Sequence, residues 1–178
     1  MNETMKLKEY MKTERPENWE SIPDIDLYMD QVINYMERQH IGLAASDDEN
    51  LTAAMINNYI KKNLLPRAKG KKYGREHIVY LTAICLLKQI LSIDEIGEMM
   101  SAEMDERNVM EFYDHYLWVL DTELVKAADA LPDTKSEKEL MDIAMEYAVS
   151  AYANKFACKR ILALLNQGDG IRKSDSDK

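Results

Sequence analysis

The chain has little that interrupts a backbone. Its 178 residues include six glycines and four prolines, too few for a turn-rich β architecture, and this scarcity points to long helices. Cysteine is nearly absent. Cys85 and Cys158 lie far apart, form no CxxC pair and each sit in an apolar helical stretch, which predicts buried reduced thiols and argues against a disulfide framework. The three histidines, His40, His77 and His115, share no metal-binding spacing. Glu111 precedes His115 by one helical step, a pairing that reads as a surface contact before it reads as a metal site. No apolar run approaches the ~18 residues of a membrane span. Lys6 and Lys8 are followed by no apolar signal region, so neither a membrane partner nor a signal peptide is expected and the cytoplasm is the expected location. No nucleophile motif, glycine-rich phosphate loop, metal constellation or set-apart carboxylate pair is present, so the expectation is a non-enzymatic protein with no cofactor.

What is there is helical and acidic. Hydrophobic residues make up 46% and charged residues 31%, which fits a folded soluble chain. Two Phe stand against 12 Met and 10 Tyr, an adaptable filling for a helical core. The formal net charge is -9. One stretch runs against it. Residues 51–80 hold seven basic residues, Lys61, Lys62, Arg67, Lys69, Lys71, Lys72 and Arg75, and one acid, Glu76, for a net of +6. Residues 101–150 carry 13 acids and four bases, a net of -9. Phosphate contacts and counterion release are local, so a local positive surface suffices for nucleic acid while the acidic half faces away. The alternative is an ordinary solvated face.

The chain divides into an N-terminal arm (1–20), a unit at 21–102, a helical region at 103–166 and a tail at 167–178 expected to be disordered. In the arm, Met5, Leu7, Tyr10 and Met11 are placed to dock, Pro16 prevents a long helix, and Trp19 is the expected anchor to the body. Ser21-Ile22-Pro23-Asp24 predicts a helix start, with the helix over about 25–40 and Gly42 at its end. Residues 46–50 read as a polar loop. Thr52 predicts a cap for the next helix, whose apolar side is Met55, Ile56, Tyr59 and Ile60 and whose other side is Ala54, Asn57, Asn58, Lys61 and Lys62. Leu64-Leu65-Pro66 ends it. Residues 67–74, RAKGKKYG, predict a β-hairpin turning near Gly70. A helix over 75–91 has Ile78, Leu81, Ile84, Cys85, Leu86 and Ile90 as core positions. Ser92-x-x-Glu95 is a capping box for a short helix to about Met100. Helical spacing continues over 105–131. Thr134-x-x-Glu137 is a second capping box, opening a helix over 135–166 that is apolar nearly all round. Such a helix belongs in the middle of a bundle or in a subunit interface, and a homodimer is the expected assembly.

The segment INNYIKKNLLPRAKGKKYGREHIVYLTAICLLKQILSIDEI resembles the DNA-binding domain of MerR-type regulators, where a recognition helix ends in Tyr and a Gly-Leu-Leu-Pro-like segment before a wing and two helices. Tyr59, Leu64-Leu65-Pro66, Tyr73 and Ser92-Ile93-Asp94-Glu95-Ile96 stand in those places over about 52–100. Asn57 and Asn58 stand where those regulators usually have Arg-Tyr, and Asn63 stands where they have glycine. The segments DLYMDQV and LTAAMINNYIKK are similar to an uncharacterised bacterial family, domain-of-unknown-function family 1836, which carries no activity over. The resemblance implies a mainly α fold: a winged helix-turn-helix with a small β-hairpin wing, followed by a C-terminal helical hairpin or bundle.

The expected function is binding of double-stranded DNA by a dimeric transcriptional regulator. The helix over 52–63 would enter the major groove, with Asn57 or Asn58 pairing with adenine and Tyr59 either donating to a phosphate or packing in the core. Lys61, Lys62, Arg67, Lys69, Lys71, Lys72, Tyr73 and Arg75 complete the expected contact set along the backbone and wing. The competing expectation is a helical interaction protein that meets an acidic partner with the same segment. The residues select no effector.

Overall fold

The computed structural model describes residues 3–39, 51–133 and 136–175. Among them the chain forms α1 (Glu3–Thr13), β1 (Leu27–Tyr28), α2 (Met29–Glu37), α3 (Ala53–Lys61), β2 (Lys72–Tyr73), α4 (Arg75–Leu87), α5 (Ile93–Glu106), α6 (Val109–Ala130) and α7 (Glu137–Asp175). Among the described residues the fold is mainly helical, as expected, with one small antiparallel sheet, which pairs β1 with β2 and not two strands within 67–74.

The helix starts follow local chemistry. Thr52 accepts a hydrogen bond from the Met55 N–H at 3.2 Å. Ser92 and Glu95 form the predicted capping box: the Ser92 N–H donates to Glu95 Oε2 at 2.8 Å and the Glu95 N–H donates back to Ser92 Oγ at 3.3 Å. Asn108 Oδ1 accepts from the Glu111 N–H at 3.0 Å at the head of α6. Each cap gives an otherwise unsatisfied N–H a partner. The second capping box begins at Thr134, which lies outside the described residues, as do His40, Gly42 and the polar loop at 46–50.

The helix expected over 25–40 begins later, at Met29. Leu27 and Tyr28 are extended and pair with β2, Leu27 opposite Tyr73 and Tyr28 opposite Lys72. An apolar face at helical spacing covers these residues equally well, and only the strand across from them decides the matter. α5 runs six residues past the expected end at Met100, to Glu106, and crosses the expected boundary at 102.

α4 is the central helix. His77 through Ile84 are buried without a break, because α2, β2 and α6 pack around it. A helix enclosed on all sides is apolar all round. Ile90, expected in the core, lies beyond the helix and is 43% exposed. The core continues through Val32 and Met36 of α2, Ile56 and Tyr59 of α3, Ile96 and Met100 of α5, and Phe112 and Tyr113 of α6. It spans the expected division at 102–103 in one contiguous cluster.

The arm docks differently from the expectation. α1 packs along α6 with the pair Lys12–Asp129 at 2.5 Å, and Arg15, just past its end, pairs with Asp121 at 2.7 Å. Met5, Leu7 and Tyr10 remain 40–45% exposed. Pro16 is buried where the chain leaves the helix. Glu17 then ties three parts together: its carbonyl accepts from the Tyr113 hydroxyl at 2.6 Å, its carboxylate from the Tyr35 hydroxyl at 2.6 Å, and its N–H donates to Gln39 at 2.9 Å.

α7 was expected to end at 166, but its backbone helix continues to Asp175. Glycines weaken a helix without breaking it, and no proline intervenes. Among the described side chains of α7, Leu162 is the large hydrophobic one that is buried, at 7% exposure.

Candidate nucleic-acid interface

α3 is short and two-sided. Ile56 and Tyr59 turn inward at 0% and 2% exposure, while Ala54, Asn57, Asn58, Lys61 and Lys62 are exposed. The spacing that separates these sets in the sequence is the helical period itself. Beyond Lys61 the chain reverses through a left-handed residue, Asn63, at φ 58. The Leu64 N–H donates to the Tyr59 carbonyl at 2.9 Å, and the Asn63 N–H donates to the Ile60 carbonyl at 3.1 Å. Leu64 and Tyr59 are both buried. This is a Schellman motif, and asparagine is the commonest substitute for glycine at its left-handed position.

The chain next makes the predicted tight turn. Lys69 and Lys72 exchange two backbone hydrogen bonds, each of 3.1 Å. Gly70 and Lys71 between them have φ values of 59 and 63, the two positive angles of a type I′ hairpin turn. Lys69, Gly70 and Lys71 are exposed at its tip, and Arg67 is exposed before it. The strand that leaves the turn pairs with β1 on its other side, so the turn is anchored to the strand leading into α2.

The expected contact residues fall into three groups. Asn57, Asn58, Lys61, Lys62, Arg67, Lys69 and Lys71 present exposed side chains. Lys72 and Arg75 are half-buried and engaged. The Lys72 ammonium lies 5.4 Å from the centre of the Tyr28 ring, and the Arg75 guanidinium lies 5.0 Å from that of Trp19. Arg75 also reaches Asp24 at 3.7 Å with only 20% of its side chain exposed. Tyr59 and Tyr73 are buried at 2% and 5% exposure, and for Tyr59 packing in the core is one of its two expected alternatives. Burial, with the Cys85 thiol nearby, pushes the Tyr59 pKa up to about 12. Tyr73 stands edge-on to His77 with ring centres 5.3 Å apart. His77 Nδ1 accepts from the Gly74 N–H at 3.0 Å, and burial lowers its pKa against the opposing pull of Glu76, Gly74, Pro66 and Asp26.

Two neighbours of this surface escaped sequence reasoning. Asp94, at the head of α5, pairs with Lys62 at 2.9 Å. Both side chains are largely exposed, and such a pair contributes only ~0–1 kcal/mol, so it leaves Lys62 available. The other is β1, whose pairing with β2 fixes the base of the turn. Both free cysteines are half-buried, and burial pushes Cys85 up to about 11. Among the described residues no group of three His, Cys, Asp or Glu side chains is placed to hold a metal ion, and no helix is long and apolar enough to cross a membrane.

A family model described as a domain of unknown function (DUF1836) matches residues 17–116. That span runs from the Glu17 junction into α6 and contains the whole of the surface at 52–75. No curated protein and no solved structure matches the chain.

Proposed function

The chain belongs to the DUF1836 family, and since that membership assigns no activity, we propose from the site's own chemistry that it binds duplex DNA through α3 and the basic turn after it. The observation that carries the reading is the concentration of exposed amide and cationic groups, with Asn57, Asn58, Lys61 and Lys62 on one face of α3 and Lys69 and Lys71 at the hairpin tip. A capped helix whose opposite face is locked by Ile56 and Tyr59 is rigid enough to present them.

The order of elements from β1 to α5 supports a likeness to MerR-type winged helix-turn-helix domains. In that reading α2 and α3 are the helix pair, and the turn over 69–72 is the wing. α3 lies in the major groove. Asn57 or Asn58 pairs with the N6 and N7 edge of adenine, a contact worth ~1–3 kcal/mol of discrimination when bidentate. Lys61, Lys62, Arg67, Lys69 and Lys71 hold phosphates and set the register. Tyr59 and Tyr73 act from inside, one under α3 and one under the turn. The reading extends to a transcriptional regulator in which two copies address a pseudo-palindrome.

One observation favours the second reading, a helical adaptor with an acidic protein partner: Lys62 and Arg75 already meet the chain's own Asp94 and Asp24. Fluorescence anisotropy with labelled genomic fragments separates the two. DNA binding is expected at ~50 mM salt and should weaken steeply as salt rises. Absence of binding at that salt overturns the proposal.

A further inference from the structure

The turn that carries Lys69 and Lys71 is joined to α4 by a reciprocal pair of hydrogen bonds. The Gly74 N–H donates to His77 Nδ1 at 3.0 Å, and the His77 N–H donates to the Gly74 carbonyl at 3.0 Å. The first bond needs Nδ1 without a proton, so the neutral ring carries its hydrogen on Nε2. His77 is 3% exposed. Its Nε2 is buried without a hydrogen-bond partner, and the Tyr73 ring stands edge-on against it. The exit strand of the turn therefore has two fastenings. Tyr73 pairs with Leu27 across the sheet, and Gly74, the next residue, is held by the imidazole.

Two carboxylates stand beside this bond. Glu76 Oε1 lies 4.0 Å from Nδ1, on a side chain 41% exposed. Asp26 Oδ1 lies 3.2 Å from where a Cβ on Gly74 would sit. A proton on Nδ1 sets two donors, ring and amide, against each other across 3.0 Å, and the bond cannot persist. The charged ring then has Glu76 to donate to, and the freed amide has Asp26. Desolvation resists the proton, whereas Glu76 of α4, the Pro66 carbonyl ahead of the turn and Asp26 ahead of β1 favour it. None of these groups belongs to α2 or α6. The ring is balanced between two bonded states by its immediate neighbours.

We propose that this junction is a proton-operated latch on the turn. Neutral His77 holds Gly74 and keeps the exit strand in register with α4. A proton taken up at Nδ1 moves the ring's bond from Gly74 to Glu76 and leaves the strand held by β1 alone. Lys71 and Lys69 stand three and five residues before Gly74, so the loosening reaches the cations at the tip. α3, locked through Ile56 and Tyr59, keeps its place. The latch thus uncouples the turn from α3 without unfolding the body. Its bearing on nucleic acid rests on the reading of α3 and the turn as a DNA surface. The latch itself does not, and it is measured without DNA.

Nuclear magnetic resonance of the isotope-labelled full chain from about pH 7.5 to about pH 5 tests it. At the upper end the His77 ring nitrogens are expected to show the Nε2–H tautomer. On acidification the Gly74 amide signal is expected to move with the same midpoint as the ring. Hydrogen-exchange protection at Lys69 and Lys72 is expected to fall by about 3–10-fold, the share of one hydrogen bond. The amide signals of Leu81 and Ile84 inside α4 should keep their positions. Glu76→Gln, a change at a half-exposed side chain, is expected to move the ring's midpoint to lower pH. His77→Gln keeps an acceptor for the Gly74 amide and should abolish both responses. A ring that stays neutral until the body unfolds overturns the proposal. So does a ring that titrates while the Gly74 signal or the protection of the turn stays unchanged. An unaltered midpoint in Glu76→Gln overturns the transfer to that carboxylate.

Discussion

The guanidinium of Arg75 lies 5.0 Å from the centre of the Trp19 ring. Trp19 stands near the start of the family-matched span and Arg75 in its middle, at the head of α4. An arginine expected to hold a phosphate is also the seat on which the N-terminal segment rests. Its charge is partly answered by Asp24, so its removal should be felt in stability.

Arg75→Ala is expected to destabilise the fold by about 1–2 kcal/mol, through loss of the ring contact and of the packing of its stem. Chemical denaturation followed by tryptophan fluorescence checks this, and the folded-state emission should shift to the red as Trp19 gains solvent. Salt dependence of DNA binding should change little. A fall in DNA affinity with unchanged stability would return Arg75 to the contact set.

The lysines and asparagines should separate in a titration. Lys61→Ala and Lys71→Ala are each expected to reduce the slope of log affinity against log salt by about one, and to weaken binding on all sequences alike. Asn58→Ala should leave the slope unchanged and narrow the gap between preferred and non-preferred sites by ~1–3 kcal/mol if it is the reading residue. Anisotropy titrations over a salt series on both kinds of site measure the two effects together. The same behaviour from lysine and asparagine variants would contradict the division of labour.

Three left-handed residues, Asn63, Gly70 and Lys71, shape the surface, and the first two predict opposite responses to similar changes. At Asn63, replacement by Gly is expected to be neutral or slightly stabilising, and replacement by Val to cost about 1–2 kcal/mol. At Gly70, a Cβ meets nothing within 4 Å, so the penalty of Gly70→Ala is conformational only, about 1 kcal/mol. Thermal unfolding of the three variants measures the ranking. A Gly70→Ala variant with wild-type stability would show that the turn does not hold its positive angles in solution.

His77 should give the fold a pH dependence on the acid side of neutrality. Burial lowers its folded pKa below the ordinary imidazole value of 6.5, so the unfolded chain takes up a proton more readily than the folded one. The stabilisation is complete above that value and is lost as pH falls through it toward the lower folded pKa. The unfolding midpoint is expected to drop between pH 7.5 and 5.5. His77→Gln, which keeps an acceptor for the Gly74 N–H, should flatten that drop.

Much of this was legible in the sequence, and the limits have physical causes. α3, its Thr52 cap, its two faces, the Leu64–Leu65 exit and the turn at Gly70 are local features, set by residues within a few positions of each other. The capping box at Ser92 is local too. What escaped depends on distant partners. Leu27 and Tyr28 satisfy a helical pattern, and only Tyr73 and Lys72 across the sheet make them a strand. Tyr59 and Tyr73 carry polar tips on apolar rings, so composition leaves inside and outside equally open until the core is assembled. Arg75 and Lys72 count as two positive charges in any window of sequence, yet rings far away in the chain, those of Trp19 and Tyr28, hold them. α7 has the opposite problem. Its apolar periphery foretold burial, and its own chain supplies a cover for only one side.

Asp94 and Glu95 are neighbours with different loads. Asp94 holds Lys62 just beyond α3, and Glu95, brought down to about 2 chiefly by the hydrogen bonds from Lys159, holds the middle of α7. The end of α3 and the shaft of α7 are therefore hitched to the same peptide unit, at the head of α5. The Asp94 hitch is exposed, and the Glu95 hitch is partly buried. A change at the head of α5 therefore reaches both the end of α3 and the middle of α7.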